Sequence, residues 1–179
     1  MATIQKVKIT PNLWFDNQAE EAVKFYTSVF KNSRIGRISY YGKEGHEIHK
    51  KPSGSVMTVE FWIGDQAFLA LNGGPEFKFN EAISFIVYCE SQEEIDNYWE
   101  KLSVGADKNA QQCGWLKDRY GLSWQVVPDI LPDLLSNSVS ERSERVMKAL
   151  LKMKKIDVDA LERAYNKESA EIRPNKSFA

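Results

Sequence analysis

The sequence is poor in the residues from which most metal centres and disulfide frameworks are built. Its 179 residues include only two histidines and two cysteines. Two cysteines cannot form the several cross-links that stabilise small secreted domains, so we expect a cytoplasmic protein with free thiols. Both histidines, His46 and His49, lie in one polar stretch. A site with several imidazole ligands would therefore have to use that stretch.

The sequence also lacks an excess of one charge and a long apolar run. It has 24 Lys and Arg against 25 Asp and Glu, and a formal net charge of −1. Such a balance gives no overall attraction to nucleic acid or to an anionic membrane. The longest apolar stretch, near residues 83–89, is too short to cross a bilayer, and the N-terminus has no signal-peptide pattern. We therefore expect neither a nucleic-acid nor a membrane partner.

What the sequence does contain is an internal repeat. A strand ending near residue 15 precedes an amphipathic helix over 18–30, and a strand over 82–89 precedes a second helix that begins after residue 91. Capping boxes are predicted for Asn17 with Glu20 and for Ser91 with Glu94. Three strands are expected after each helix, at about 34–41, 55–63 and 66–72 and then at about 107–112, 114–117 and 122–127. Each half is thus a βαβββ unit, and units of this size pair because one alone cannot bury its apolar face.

The pattern predicts an α+β fold in three parts. The first βαβββ module covers residues 1–73 and the second covers 74–128, each with a cupped mixed or antiparallel sheet. A helical tail covers 129–179, with helices expected at about 140–154 and 158–165. Such a tail is typical of a buttress for the domain or of a dimer contact.

Several motifs resemble a known family. They are LWFD at 13–16 with AEEA at 19–22, GGP at 73–75, QCGWLKD at 112–118 and YGLSWQVVP at 120–128. Together they resemble the PhnB-like family of the vicinal oxygen chelate superfamily, which includes glyoxalases, bleomycin-resistance proteins and extradiol dioxygenases. Many members carry the label 3-demethylubiquinone-9 3-methyltransferase. The resemblance covers nearly the whole chain and implies a site inside the cup of each sheet.

The resemblance also implies where metal ligands would lie, namely on the first and last strand of each unit. The expected inward positions hold Asn12 or Trp14, about Asn72, Ala82 or Ser84, and Gln125. None of these is an acid or a histidine, whereas divalent metals need several such donors. We therefore predict no metal site and no cofactor. A methyltransferase would bind S-adenosylmethionine at a glycine-rich turn after the first strand, but that turn here is DNQA at 16–19.

Two further groups are weaker candidates. His46 and His49 with the neighbouring glutamates form a possible surface metal clip, but a solvated loop is the alternative that we favour, because strong sites need a fixed backbone. Cys113 is a weak candidate for a nucleophile or redox thiol, against the alternative of a small packed side chain. Cys89 is expected to be packing.

Glu60 and the tryptophans are the main candidates for a ligand site. Thr58, Glu60 and Trp62 lie on the same face of one predicted strand, because every second residue of a strand points to the same side. If that face lines the cup, Glu60 is a candidate general base or hydrogen-bond acceptor; the alternative is an outward carboxylate paired with a lysine or arginine. Tryptophans on strands offer flat apolar walls for an aromatic ligand, or simply pack.

The predicted function is binding of a small hydrophobic or aromatic molecule, without metal, by a homodimer. The predicted ligand-binding residues are Trp14, Glu60, Trp62, Asn72, Ser84, Trp115 and Gln125. The alternative is an enzyme of the glyoxalase and dioxygenase superfamily, or a methyltransferase as the family label states. A third possibility is a protein-interaction module that uses the basic C-terminal helix.

Overall fold

The computed structural model describes residues 8–136 and 139–167. The chain has an α+β fold with one four-stranded and one three-stranded sheet, which confirms the predicted fold class. It divides between Ile83 and Ser84 into two compact units, which we call unit 1 and unit 2. None of the helices in the described part of the chain has the length and apolar character that a bilayer crossing requires.

Unit 1 follows the predicted βαβββ order. Its elements are β1 (Asn12–Phe15), α1 (Ala19–Val29), β2 (Arg34–Tyr40), α2 (His46–His49), β3 (Val56–Ile63) and β4 (Gln66–Asn72). The sheet order is β1-β4-β3-β2, in which β1 runs parallel to β4 and the other neighbours are antiparallel. The short helix α2 lies inside the stretch that the sequence predicted to be a loop.

Helix α1 covers one face of this sheet. Its buried side chains recur at helical spacing, and Tyr26 stacks on Phe61 of β3 with ring centroids 6.2 Å apart. Side chains alternate along a strand, so the positions between the helix-facing ones point the other way. We call that second surface the open face of unit 1. It comprises Trp14, Val56, Thr58, Glu60, Trp62, Leu69 and Leu71.

Unit 2 has one strand fewer than predicted. Its elements are β5 (Ser84–Cys89), α3 (Gln92–Leu102), β6 (Trp115–Lys117) and β7 (Ser123–Pro128), with sheet order β5-β7-β6. Where a strand was expected near 107–112, Lys108–Ala110 forms a short 3-10 turn, and the Asp107 side chain accepts a 2.9 Å hydrogen bond from Asn109 N. Asp and Asn favour such local side-chain bonds, and here they prevail over strand pairing.

The C-terminal helices belong to unit 2. They are α4 (Leu131–Leu134), α5 (Glu141–Leu150) and α6 (Val158–Asn166). Val146, Leu150, Ile156 and Leu161 form a small buried core with Val127 of β7. Helix α5 ends four residues earlier than predicted. The last residues of the predicted tail, 168–179, lie outside the described residues.

Candidate functional site

The open face of unit 1 brings three of the predicted residues together. Glu60 pairs with Leu69, and Thr58 pairs with Leu71, which in turn pairs with Trp14 of the parallel strand β1. Directly paired residues point to the same face of a sheet. Trp14, Glu60 and Trp62 therefore share one surface, as the alternation along β3 predicted for the last two.

Glu60 lies near the middle of that surface. Its Oε1 is 3.7 Å from Nη2 of Arg37, and its side chain is 32% exposed. An ion pair this long, with an arginine that is 72% exposed, contributes little to stability. The carboxylate is therefore both paired and accessible, so each of the two alternatives for Glu60 holds in part.

Trp14 forms a fixed apolar wall at one side of the open face. Its indole Nε1 donates a 2.9 Å hydrogen bond to the carbonyl of Gly74, and its ring meets Phe77 edge to face at 4.9 Å. Gly73 lies so close to the indole that any side chain there would overlap the ring. Because the indole N–H is already used, Trp14 offers a ligand its apolar ring and no donor.

Trp62 is more deeply covered than Trp14. It is only 6% exposed, and the guanidinium of Arg34 lies 4.2 Å from the centre of its ring. This is a cation–π contact. Trp62 therefore contributes to the packing of the open face, and little of its ring is accessible to a ligand.

Asn72 is where structure and sequence differ most. We expected it to point inward with Glu60, but the register places it on the helix-facing side, and Leu71 occupies the open face instead. Its Oδ1 accepts a 2.8 Å hydrogen bond from Ala19 N, and its Nδ2 donates to the carbonyl of Val56 at 3.0 Å. With 6% exposure and both amide atoms bonded, Asn72 has no free atom for a ligand.

The bond from Asn72 also replaces the capping box predicted for α1. Gln18 is the N-cap residue of α1 and makes no side-chain cap bond, so the prediction for Asn17 with Glu20 is wrong. The second capping box forms only one of its two bonds, because the Glu94 carboxylate accepts from Glu90 N and not from the N-cap residue Ser91. Glu94 N donates to Ser91 Oγ at 3.2 Å, while the Glu94 carboxylate accepts from Glu90 N at 2.9 Å.

The remaining predicted residues meet on one face of unit 2. Trp115 pairs with Gln125, and Ser84 lies on the same face because it pairs with Ser123, two positions from Gln125. Gln125 Nε2 donates a 2.8 Å hydrogen bond to Ser84 Oγ. The second sheet therefore has a neutral polar pair beside an aromatic ring.

These donors do not fit the divalent metal that the superfamily commonly uses. The residues at the relevant positions of β1, β4, β5 and β7 are Trp14, Leu71, Ser84 and Gln125, which together hold no carboxylate and no imidazole. Across residues 8–136 and 139–167 there is no group of three or more His, Cys, Asp or Glu that could hold an ion.

The two histidines take part in packing of the loop between β2 and β3. The His49 ring lies 4.4 Å from the ring of Tyr41, and its Nδ1 accepts a 2.9 Å hydrogen bond from Lys51 N. His46 meets His49 edge to face at 6.0 Å. Tyr41 in turn donates to the carbonyl of Asn72 at 2.6 Å, so this loop is tied to the end of β4.

The first β-to-α turn does not fit S-adenosylmethionine either. It has no glycine, and the first N–H group of α1 is taken by Asn72. Glu20 and Glu21 occupy the first helical turn. The turn thus lacks the close backbone approach on which nucleotide-type cofactors depend.

The two cysteines have different surroundings. Cys89 is fully buried, and burial, with smaller effects of Glu94 and Asp129, raises the pKa of its thiol to about 12. Cys113 is half-buried in a turn with a positive φ of 52°, and its N–H donates to the carbonyl of Met153 at 2.8 Å. Cys113 therefore lies at the point where the C-terminal tail bonds to the turn before β6.

Sequence reasoning missed several members of the open face. The Ser39 and Thr58 hydroxyls form a 2.5 Å hydrogen bond there, beside Leu71 and Arg37. The alternation in β3 had already placed Thr58 on this face, but Ser39, Leu69 and Leu71 were not identified. Arg37 could not be placed, because β2 contains a register shift between Ile35 and Ile38.

Comparison with known proteins agrees with this fold. The sequence profile of the family described as 3-demethylubiquinone-9 3-methyltransferase matches residues 7–127. The solved PhnB protein from Bacillus cereus is 36% identical, with a TM-score of 0.59 over 68% of this chain and 99% of that one. Protein PA1353 from Pseudomonas aeruginosa, 18% identical, shares the fold with a TM-score of 0.53 over 69% of this chain and 100% of that one.

The profile match is shorter than the resemblance suggested. It ends at residue 127, so α4, α5 and α6 lie beyond it. No curated protein has a significant sequence match to this chain. The matches to the profile and to the B. cereus protein show that the chain belongs to the PhnB-like, or 3-demethylubiquinone-9 3-methyltransferase, family of the vicinal oxygen chelate superfamily.

Proposed function

We propose that the protein binds a small hydrophobic or aromatic molecule on the open face of unit 1, without a metal ion. One observation carries this proposal: the face joins half-buried apolar side chains to a single accessible carboxylate. The apolar members are Trp14, Val56, Leu69 and Leu71, and the carboxylate is that of Glu60. Ligand sites commonly combine an apolar lining with a few polar groups in this way.

The arrangement suggests how such a ligand is oriented. An aromatic or apolar body lies on the leucines with its edge against Trp14. A donor group on the ligand reaches the Glu60 carboxylate, and the paired hydroxyls of Ser39 and Thr58 offer a second polar contact. On unit 2 we propose Ser84, Trp115 and Gln125 as a separate ligand-binding face, whose polar side chains are neutral.

An enzyme is the second candidate function, and the accessible carboxylate of Glu60 favours it. In a metal-free acid–base reaction, Glu60 would accept a proton from a bound substrate, because its carboxylate is accessible on the open face. Methyl transfer has less support, because the turn before α1 is occupied by Asn72. Isothermal calorimetry with S-adenosylmethionine tests it; micromolar binding would favour the methyltransferase.

A neutral apolar dye tests the main proposal. Nile red fluorescence is titrated with the wild-type chain and with Leu71→Asp, with and without EDTA. We expect saturable binding that EDTA does not change and that Leu71→Asp weakens at least tenfold, because a carboxylate then lies in the apolar lining. Val104→Asp is the matched control, since Val104 is an apolar residue that is 52% exposed and lies outside the open face. The proposal is contradicted if the control variant loses Nile red binding while Leu71→Asp keeps it. It is also contradicted if EDTA abolishes binding to the wild-type chain.

Homodimer assembly and a cytoplasmic location are also proposals. Ile86 and Tyr88 on the edge strand β5 are 47% and 57% exposed and share a face with Ser84 and Gln125, so a second copy that covers this apolar surface would also enclose the ligand-binding face of unit 2. Light scattering after size exclusion tests the dimer, and a monomeric mass excludes it. The two free thiols support a reducing compartment.

A further inference from the structure

The C-terminal helices carry a groove that the proposed function does not use. It has a volume of about 600 Å³ and lies along α5, with Leu135, Met147 and Leu151 as its apolar lining. Met147 is 41% exposed and Leu151 is 58% exposed. We call this surface the tail groove. It lies beyond the segment that matches the family profile.

Two lysines without counter-ions line the tail groove. Lys148 lies in the last turn of α5 and Lys152 lies two residues beyond the end of that helix, and neither forms an ion pair or side-chain hydrogen bond with any residue that the structure describes. By contrast, Arg145 of α5 and Lys167 at the end of α6 share Glu141 as a partner, at 3.8 and 3.2 Å. The positive charge beside the groove is therefore not neutralised from within the chain.

A second groove extends this basic surface. It lies between α5 and α6, and Lys148 and Lys152 line it as well as the first, together with Arg163. Residues 140–167 hold eight basic and five acidic side chains, a net charge of +3, although the whole chain has −1. The charge of this region thus favours an anionic occupant.

The tail groove is preformed, because the chain around it is anchored to unit 2. Gln112 Nε2 donates to the carbonyl of Leu151 at 2.7 Å, and Cys113 N and Gly114 N donate to the carbonyls of Met153 and Lys154 at 2.8 Å. The Gln92 side chain bonds Ile156 O at 3.1 Å and Val158 N at 2.9 Å. A partner would not have to order α5, which lowers the entropic cost of binding.

We propose that the tail groove binds an acidic amphipathic helix of a partner protein. Apolar side chains one turn apart on the partner enter the groove against Met147 and Leu151, in the helix-in-groove mode. Carboxylates at the same spacing on its flank reach Lys148 and Lys152 and form charge-assisted hydrogen bonds. The occupant must therefore combine apolar anchors with acidic residues at helical spacing.

An anionic membrane surface fits this geometry less well. Lipid-binding helices insert a protruding apolar face into the interface, whereas Met147 and Leu151 line a groove. Glu144 also lines the groove, and its carboxylate would repel an anionic headgroup layer. A peptide helix can place its acids beside the lysines and away from Glu144.

A designed peptide pair tests the proposal on the full chain. One peptide carries Leu at i, i+3, i+4 and i+7 with flanking Glu, and its control carries Lys in place of each Glu. Fluorescence anisotropy should show binding of the Glu peptide and at least tenfold weaker binding of the Lys peptide. Methyl NMR shifts should map to Met147, Leu151 and Leu135.

Variants locate the site. Lys148→Glu with Lys152→Glu, and separately Met147→Gln, should each weaken the Glu peptide at least tenfold with an unchanged circular dichroism spectrum. The matched control is Lys31→Glu with Lys101→Glu, two other exposed lysines, and it should stay within twofold of wild type.

Three results would overturn the proposal. The first is no binding of the Glu peptide at millimolar concentration. The second is equal affinity for the two peptides or NMR shifts outside the groove. The third is binding of phosphatidylserine vesicles that Lys148→Glu with Lys152→Glu abolishes, since the partner would then be a lipid surface.

Discussion

The side chain of Asn72 caps a helix that begins 53 residues earlier in the chain, through a 2.8 Å hydrogen bond from Ala19 N to Asn72 Oδ1. The end of β4 thereby fixes the start of α1. Local sequence offers Asn17 for this role, but the structure leaves that side chain exposed. A position expected to face a ligand has become part of the framework.

Replacing Asn72 by Ala should therefore destabilise the protein, while Asn17→Ala should not. The first change leaves the buried Ala19 N–H and Val56 carbonyl without partners, which costs about 1–3 kcal/mol. Urea unfolding of both variants measures the difference. A similar loss for the two variants would mean that Asn17 contributes to capping after all.

Gly73→Ala should destabilise unit 1 through Trp14. A methyl group at Gly73 would overlap the indole ring, and overpacking of this kind costs about 1–3 kcal/mol. Gly42→Ala is the control, because a Cβ there meets nothing closer than 4.0 Å. We expect the tryptophan fluorescence of the Gly73 variant to shift as Trp14 moves, and an unchanged spectrum and midpoint would rule out the close contact.

Asp96→Asn should lower stability at neutral pH and lose that effect in acid. The hydrogen bond from Lys155, with a smaller one from Gln92, lowers the pKa of Asp96. A carboxylate with a lowered folded-state pKa stabilises above its unfolded value of about 3.9, and the contribution disappears as pH falls through the folded value.

The expected size of this effect is small. Both side chains of the pair are close to half exposed, at 42% and 48%, so about 0.5 kcal/mol is expected. Unfolding midpoints of wild type and Asp96→Asn, measured from pH 7 down to pH 2, should converge at the acid end. If the difference between the two unfolding midpoints stays the same down to pH 2, the substitution acts through packing and not through the lost charge.

The two thiols should react at very different rates. With its pKa raised to about 12, Cys89 has almost no thiolate at pH 8, and it is also buried. Native protein treated with a thiol-specific disulfide reagent should therefore label Cys113 first, and Cys113→Ser should remain unlabelled until denaturant is added. Rapid labelling of that variant would show that the interior around Cys89 opens readily.

The parts of the fold that follow from local periodicity were predictable. The spacing of apolar residues placed α1 within a residue of its observed ends, and alternation along β3 put Glu60 and Trp62 on one face. Asn72 was misplaced because a shift of one residue moves a strand side chain to the other face. Its true direction depends on Ala19, a contact distant in sequence.

Other features depended on which of two interactions prevails, such as a local side-chain bond or strand pairing, and the sequence alone does not decide this. The segment near 107–112 has weak strand character, but Asp107 bonds its own backbone and turns the chain. Arg37, which pairs with Glu60, lies within the register shift of β2 between Ile35 and Ile38, and simple alternation does not predict its direction. The tail groove likewise requires the turn at Cys113 and Gly114, to which residues 153 and 154 bond through their backbone.

The anchoring of the C-terminal helices separates the unit of homology from the unit of folding. Residues 7–127 carry the family match, yet Val127 is buried by Val146, Leu150, Ile156 and Leu161. A chain truncated after residue 128 would keep strands β1 to β7, but it would leave the side chain of Val127 exposed to water. The C-terminal helices, although they lie outside the family match, therefore complete the hydrophobic core that begins at the end of β7.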